Sequence, residues 1–205
     1  MSTITAIRQQ VRHKDRYSLY VDGEYAFSLS ESALLESQVA SGQQLSDTEL
    51  TALKQLALQD KQYNLVLRYA ALRPRSEWEM LTYMHRKDIP EPVAKKYTDK
   101  LKRIGLLDDQ DFAERWVANR RLLKHTSQAR LRQELRQKHI DSSIIDTVLA
   151  EDQESTDEID VIAAIIHKKR ARYSDPQKLI AYLARQGFRY DAIKTALDRA
   201  DDANP

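Results

Sequence analysis

Cysteine is absent from this chain of 205 residues. Its absence excludes disulfide bonds, thiolate metal sites, iron–sulfur clusters and cysteine nucleophiles, and it is typical of proteins in a reducing compartment. Glycine is scarce as well: only four are present, at positions 23, 42, 105 and 187. They lie too far apart to form a P-loop or a dinucleotide-binding fingerprint, so most nucleotide-dependent enzyme classes are disfavoured.

Long apolar runs are also missing. No segment approaches the ~18 consecutive apolar residues that a membrane-spanning helix requires. The first residues, Met1 to Thr5, lack the basic and then apolar pattern of a secretory signal peptide. Because hydrophobic residues still make up 41% of the chain, a folded core is expected rather than general disorder. We therefore expect a cytoplasmic protein with no membrane segment.

Charge is abundant but almost balanced, with a formal net charge of +2. Its distribution is uneven: residues 1–60 carry a net charge of −3, residues 61–149 of +7, and residues 150–205 of −2. A basic middle between acidic flanks indicates a localised anionic partner, such as a phosphate backbone or an acidic protein groove. The alternative is a set of solvated helix faces, which is common for charge blocks.

The N-terminal segment has the pattern of a β-hairpin. Apolar and polar residues alternate over residues 17–29, on both sides of Asp22-Gly23, a favoured pair for a tight turn. Ile4 to Val11 predicts a third strand, and Glu31 to Ser37 a short helix. Residues 1–45 are therefore predicted to form a β-hairpin module with a short helix.

A connecting helix is predicted to follow over residues 46–60. Ser46 is followed three residues later by Glu49, which is the pattern of a capping box at a helix N-terminus. We expect this helix to end near Asp60.

The remainder of the chain contains a threefold repeat. In each repeat a capping residue stands thirteen positions before an apolar anchor, and apolar residues recur nine and five positions before that anchor. The cap and anchor pairs are Ser76 with Ile89, Ser127 with Ile140, and Asp175 with Phe188. Each repeat is predicted to hold three helices, A, B and C, with helix B starting at the cap. The repeats cover residues 61–105, 106–150 and 151–205, and the third begins with an acidic linker.

Repeats of about fifty residues bury little surface alone, so stacking must complete their cores. The predicted fold is mainly α: three tandem three-helix repeats form an elongated curved array, preceded by a small N-terminal β-hairpin module. Such an array suits wrapping a long object better than enclosing a small substrate. A compact all-α bundle is the alternative. The acidic linker, residues 151–158, is expected to be looser than the connection at Gly105.

Basic residues recur at equivalent positions near the end of helix A in each repeat, and more lie in the second helix B. We name this set the basic ridge and predict that it binds the anionic partner. The basic ridge comprises Arg73, Arg75, Arg120, Arg121, Lys124, Arg130, Arg132, Arg136, Lys168, Lys169, Arg170 and Arg172. A plain solvated face is the alternative, and Arg130 with Glu134 is also spaced as an ion pair that only stabilises the helix.

The residue pattern gives no support for a metal site or a catalytic site. The five histidines show no metal-ligand spacing, and no serine, histidine and acid set stands out. Phe112, Trp116 and Val117 are expected in the core, because aromatic residues at helical spacing usually face inward. We therefore predict no catalytic residue, no metal site and no cofactor.

Three stretches carry a resemblance to a known family. They are Leu72–Ser76 (LRPRS), Gly105–Val117 (GLLDDQDFAERWV) and Leu131–Ile140 (LRQELRQKHI). With the three-repeat layout, the chain resembles the bacterial RecX family over residues of about 60–200. The hairpin is similar to the N-terminal extension of longer family members.

The resemblance implies a regulatory protein rather than an enzyme. Members bind the RecA recombinase filament on single-stranded DNA, lie along its helical groove, and usually suppress its ATPase, strand exchange and co-protease activities. This implies a monomer that acts in homologous recombination, DNA repair and the SOS response. Some members also bind DNA directly, so single- and double-stranded DNA are further candidate partners. The alternative is a DNA-binding helical-repeat protein that acts directly on nucleic acid.

Overall fold

The computed structural model describes residues 1–173 and 175–202. Within these residues the chain forms ten α-helices, one short 3-10 segment and one four-stranded sheet. The chain divides into two compact units, residues 1–73 with 87–97, and residues 74–86 with the chain from 98 onward. The predicted third repeat includes residues 174 and 203–205, which lie outside the described residues.

The sheet of the first unit is antiparallel throughout. Its strands, in the order β3-β2-β1-β4, are β1 (Ser2–Gln9), β2 (Arg16–Val21), β3 (Glu24–Ser30) and β4 (Gln44–Leu45). The predicted hairpin and third strand are confirmed, and Asp22 and Gly23 have φ angles of 51° and 89°, as a tight two-residue turn requires. The two-residue β4 was not predicted, because so short a strand shows no alternation.

Two helices follow the hairpin strands. Helix α1 (Glu31–Ser37) lies where it was predicted, and helix α2 (Asp47–Ala71) begins with the predicted capping box. The backbone N–H of Glu49 donates to the Ser46 hydroxyl at 3.2 Å, and the Glu49 carboxylate accepts from the Ser46 backbone N–H at 2.8 Å. This bond from the Ser46 backbone, with one from its hydroxyl, lowers the pKa of Glu49.

The predicted end of this helix near Asp60 is wrong. Helix α2 continues for 25 residues to Ala71, so the connecting helix and the first helix A are one element. No glycine or proline interrupts residues 61–71, and Val66 and Ala70 are buried on the same face. The continuous burial of that face favours one long helix over two short ones.

Asp60 joins α2 to the sheet within the first unit. Its carboxylate accepts a hydrogen bond from the Ser30 backbone N–H at 2.9 Å and lies 3.2 Å from the Arg16 guanidinium. Both side chains of this ion pair are nearly buried. Nearby, the Tyr97 hydroxyl donates to the backbone carbonyl of Gln59 at 2.8 Å. Specific polar contacts therefore orient α2 in this unit.

The helices of the repeats lie close to their predicted places. They are α3 (Glu77–His85), α4 (Glu91–Arg103), α5 (Asp109–Lys124), α6 (Gln128–Gln137), α7 (Ser142–Ser155), α8 (Glu158–Lys169), α9 (Pro176–Arg185) and α10 (Tyr190–Asp202), with the 3-10 segment Arg170–Arg172 after α8. The three predicted caps accept hydrogen bonds from the first turns of α3, α6 and α9. The anchors Ile89, Ile140 and Phe188 are 5%, 5% and 4% exposed, so the threefold pattern is confirmed.

Each anchor is preceded by a residue in the left-handed region. These are Asp88, His139 and Gly187, with φ angles of 55°, 56° and 91°. A single left-handed residue ends a helix by turning the chain away from its axis. The repeats therefore share a backbone turn that the residue types alone do not reveal.

The expectation of a loose acidic linker is wrong. Helix α7 continues through most of this stretch to Ser155, and only Thr156 and Asp157 separate it from α8. Asp152, within the stretch, accepts three hydrogen bonds from the Arg121 guanidinium. Asp152 is therefore packed against the fold, with 9% exposure, whereas Glu151, Glu154 and Asp157 stay exposed.

Candidate anion-binding groove

The second unit contains the same junction between repeats twice. Glu79, ten residues before its anchor, accepts from Lys138, two residues before the next anchor, at 2.6 Å. At the equivalent positions of the next junction, Arg130 donates to the Gln186 side chain at 2.7 Å. One helix B therefore packs its N-terminal half on the C-terminal half of the following helix B.

The start of helix A adds a second repeated contact. The Asp109 carboxylate accepts from the backbone N–H of Glu77 at 2.8 Å, and the Glu158 carboxylate accepts from that of Gln128 at 3.2 Å. Each carboxylate thus satisfies a free N–H in the first turn of the preceding helix B. The neighbouring Asp108 instead caps its own helix, α5.

Burial gives Asp109 a testable pH dependence. Desolvation raises its pKa, outweighing the bond from Glu77. A raised carboxyl pKa means that the fold is favoured when the group is protonated, and that this stability is lost as pH rises from the ordinary value of about 3.9 through the folded pKa.

We therefore expect Asp109→Asn to be at least as stable as the parent protein at neutral pH, with the difference shrinking in acid. The measurement is the thermal midpoint at neutral pH and at about pH 4. Asp108→Asn, which keeps a capping side chain, is the matched control. A variant that loses more stability at neutral pH than in acid would contradict this account.

A groove of about 300 Å³ lies between the second and third repeats of this unit. Part of its lining is basic and part is apolar. Its basic side chains are Lys124, Arg130, Lys168 and Lys169, and its larger apolar ones are Leu123, Ile165, Tyr182 and Phe188. We name it the cationic groove. The ends of α5 and α8 and the start of α6 position the cations.

Three of these cations have no side-chain partner among the residues that the structure describes. Among residues 1–173 and 175–202, no hydrogen bond or ion pair engages the side-chain ammonium of Lys124, Lys168 or Lys169. The carboxylate that lines the groove, Glu134, is already neutralised, because it accepts from Arg120 at 2.7 Å and from the Trp116 indole at 2.9 Å. The groove therefore carries an excess of positive charge that an anionic ligand can neutralise.

Several other members of the basic ridge have partners inside the fold. Arg121 is 12% exposed and binds Asp152, Arg75 is 8% exposed, and Arg132 forms an ion pair with Asp146. Arg73, Arg75 and Arg170 also have interactions within the chain. Four members line the groove, and Arg136 and Arg172 are exposed elsewhere on the repeats. The binding role of the ridge as a whole stays a prediction.

The residue pattern missed the role of Trp116. Phe112 and Val117 are buried as expected, but Trp116 is only partly buried. The Arg120 guanidinium lies 4.4 Å from its ring centroid, and the Lys138 ammonium lies 5.2 Å from it. Trp116 therefore orients Arg120, which binds the groove-lining Glu134, and the four-residue spacing of Trp116 and Arg120 was the available signal.

Across the described ranges, no group of three or more histidine, aspartate and glutamate side chains gathers as a metal ion would need. No helix in those same ranges is both long and apolar enough to cross a membrane.

Family models match three parts of the chain. The regulatory protein RecX N-terminal domain matches residues 2–46, and the RecX first and second three-helix domains match residues 63–105 and 108–149. Together they cover more than half of the chain. The matched ranges include the sheet, α4 and the whole of α5 and α6.

Individual relatives agree with these matches. The regulatory protein RecX of Lactobacillus johnsonii is 30% identical over 206 residues, covering 98% of this chain and 76% of the relative. That of Bacillus pumilus is 26% identical over 207 residues, covering 98% and 79%.

Solved structures are similar as well. A crystal structure of regulatory protein RecX superposes with a TM-score of 0.77 at 27% identity, covering 97% of this chain and all of the other. The crystal structure of RecX from Lactobacillus salivarius gives a TM-score of 0.62 at 26% identity, covering 70% of this chain and 96% of the other.

Proposed function

Because this chain belongs to the RecX family of regulatory proteins, we propose that it binds the RecA recombinase filament on single-stranded DNA and restrains its activities. The restrained activities are ATP hydrolysis, strand exchange and co-protease function. The observation that supports this most is the cationic groove, where Lys124, Lys168 and Lys169 lack partners within the described chain. Unpaired cations beside apolar side chains suit a large anionic surface better than a small substrate.

The protein acts by binding and not by catalysis. A ligand that contacts neighbouring filament subunits gains affinity from linked contacts, and it favours the subunit spacing to which it binds best. Cyclic rearrangement during ATP turnover is then hindered. On this proposal the protein is a cytoplasmic monomer that acts in homologous recombination, DNA repair and the SOS response.

The direct test is the ATPase rate of RecA on single-stranded DNA, titrated with this protein. We expect the rate to fall with the parent protein. For the double variant Lys124→Glu/Lys168→Glu, the half-maximal concentration should rise at least ~10-fold, which corresponds to a loss of ~1.4 kcal/mol. Both side chains are exposed, so stability should change by less than ~0.5 kcal/mol per substitution.

Lys178→Glu is the matched control, because Lys178 is exposed on α9 and outside the groove lining. It should inhibit like the parent protein. An unchanged ATPase rate with the parent protein would refute the proposed function. Equal affinity for the filament and for free recombinase would refute the bridging mechanism.

Direct binding to DNA is the second candidate function. The three unpaired lysines favour it, since phosphate contacts are made by such cations. If three phosphates of a single strand are neutralised, log affinity should fall with log salt at a slope of about −2. Binding to single-stranded DNA without recombinase, with this slope, would favour direct action. If salt-dependent binding is seen only when the recombinase is present on the DNA, the result favours the filament as the partner.

A further inference from the structure

Two exposed leucines stand beside the cationic groove. Leu122 and Leu123, in the last turn of α5, are 78% and 66% exposed. Leu123 lines the groove together with Ile165 and Phe188, whereas Leu122 does not. The groove therefore combines an accessible apolar side chain with unpaired lysines.

The groove is poorly suited to a phosphate backbone. Phosphates favour free N–H groups at helix N-termini, but at the start of α6 the N–H of Gln128 donates to Glu158 and that of Arg130 donates to Ser127. Helices α5 and α8 instead end here, and helix C-termini carry a partial negative charge. Lysines offset that charge but provide no geometry specific for phosphate.

Base stacking is disfavoured for the same region. Single-stranded nucleic acid is usually bound on exposed aromatic faces. Among the described residues that line the groove, the rings are those of Tyr182 and Phe188 and the partly buried imidazole of His125. Tyr182 is already stacked on Tyr173, with ring centroids 5.3 Å apart, and Phe188 is 4% exposed.

We propose that the cationic groove binds an acidic segment of a partner protein that carries a bulky apolar residue. That residue packs on Leu123 at the mouth of the groove, and flanking carboxylates pair with Lys124 and Lys168. The volume of about 300 Å³ lies at the small end of ligand pockets, which suits side chains better than a folded domain. This inference rests on the proposed function in one respect, namely that recombinase subunits supply the segment.

The binding test uses the full chain and a fluorescein-labelled peptide, Asp-Glu-Phe-Leu-Glu-Asp, followed by fluorescence anisotropy. We expect saturable binding at protein concentrations below ~1 mM. A peptide with serine in place of both apolar residues should bind at least ~10-fold more weakly, as expected from the lost apolar burial. An oligothymidine strand should not displace the peptide.

Pairs of variants, one inside the groove and one outside it, test whether the peptide binds in the groove. Leu123→Ser should weaken binding of the peptide at least ~5-fold, while its neighbour Leu122→Ser should leave it unchanged. Lys168→Glu should weaken it, and Lys178→Glu should not. Thermal midpoints should match the parent protein, because these side chains are exposed.

Three results would overturn the inference: no saturable binding, equal affinity for the serine peptide, or displacement by oligothymidine, which would assign the groove to nucleic acid. The ATPase titration separates this inference from the proposed function. If Leu123→Ser inhibits the recombinase like the parent protein, the groove inference fails and the function stands. If the parent protein binds the peptide but does not slow ATP hydrolysis, the groove inference stands and the proposed function fails.

Discussion

Replacing Arg121 by alanine is expected to lower the free energy of unfolding by about 3–5 kcal/mol. The guanidinium donates to both carboxylate oxygens of Asp152, with a shortest distance of 2.6 Å, and to the backbone carbonyl of Thr126 at 2.7 Å. The two ion-pair side chains are only 12% and 9% exposed. Removal of the cation leaves a nearly buried carboxylate without its partner, and that desolvation cost is the source of the large effect.

Urea unfolding followed by circular dichroism measures this change. Arg115→Ala is the matched control, because Arg115 also pairs with an aspartate, Asp111, but with 65% and 47% exposure. Exposed ion pairs contribute about 0–1 kcal/mol, so the control should lose little stability. The double variant Arg121→Met/Asp152→Leu should recover most of the loss, since no unpaired charge remains. Similar losses in Arg121→Ala and Arg115→Ala would contradict the account.

Replacing Gly187 by alanine is expected to cost about 2–5 kcal/mol, from two separate sources. The φ angle of 91° is strained for an alanine, at about 1–2 kcal/mol. An added Cβ would also lie 2.8 Å from the Ser127 hydroxyl oxygen. That hydroxyl donates to the Gln186 carbonyl at 2.6 Å, so relief requires the second and third repeats to move apart, an overpacking cost of about 1–3 kcal/mol.

Gly105→Ala is the control for the backbone term alone. Its φ angle is 71°, and an added Cβ would meet no atom within 4 Å, so the expected loss is only the strain of about 1–2 kcal/mol. The double variant Gly187→Ala/Ser127→Gly should recover the steric part, because glycine is tolerated as a helix N-cap. If Gly187→Ala and Gly105→Ala lose equal stability in urea, the packing contribution is refuted.

Local features were predictable from residue order. The turn at Asp22-Gly23, the capping box at Ser46 and the caps of the three helix B segments lie where they were expected. Each depends on hydrogen bonds or φ angles within about four residues. The buried apolar residues nine and five positions before each anchor were predictable for a related reason, since helical spacing alone places them on one face.

The end of α2 was not predictable in this way. A helix without glycine or proline stops where its apolar face loses its packing partners. The partners of α2 include Tyr97, which is 38 residues away in sequence from Gln59. The prediction of a loose linker at the acidic stretch before α8 was wrong for the same reason, namely a contact that is distant in sequence. Its Asp152 pairs with an arginine that lies 31 residues earlier.

The candidate site shows the limit most clearly. Arg121 and Lys124 stand three residues apart on α5 and were equivalent as members of the basic ridge. Packing on α7 gives Arg121 a buried carboxylate, whereas Lys124 lies beside the groove without a partner in the described chain. Periodicity determines which residues can share a helix face, because it depends only on the geometry of one helix. Whether a charge is neutralised depends on carboxylates that are distant in sequence, so only the tertiary structure separates structural cations from those available to a partner.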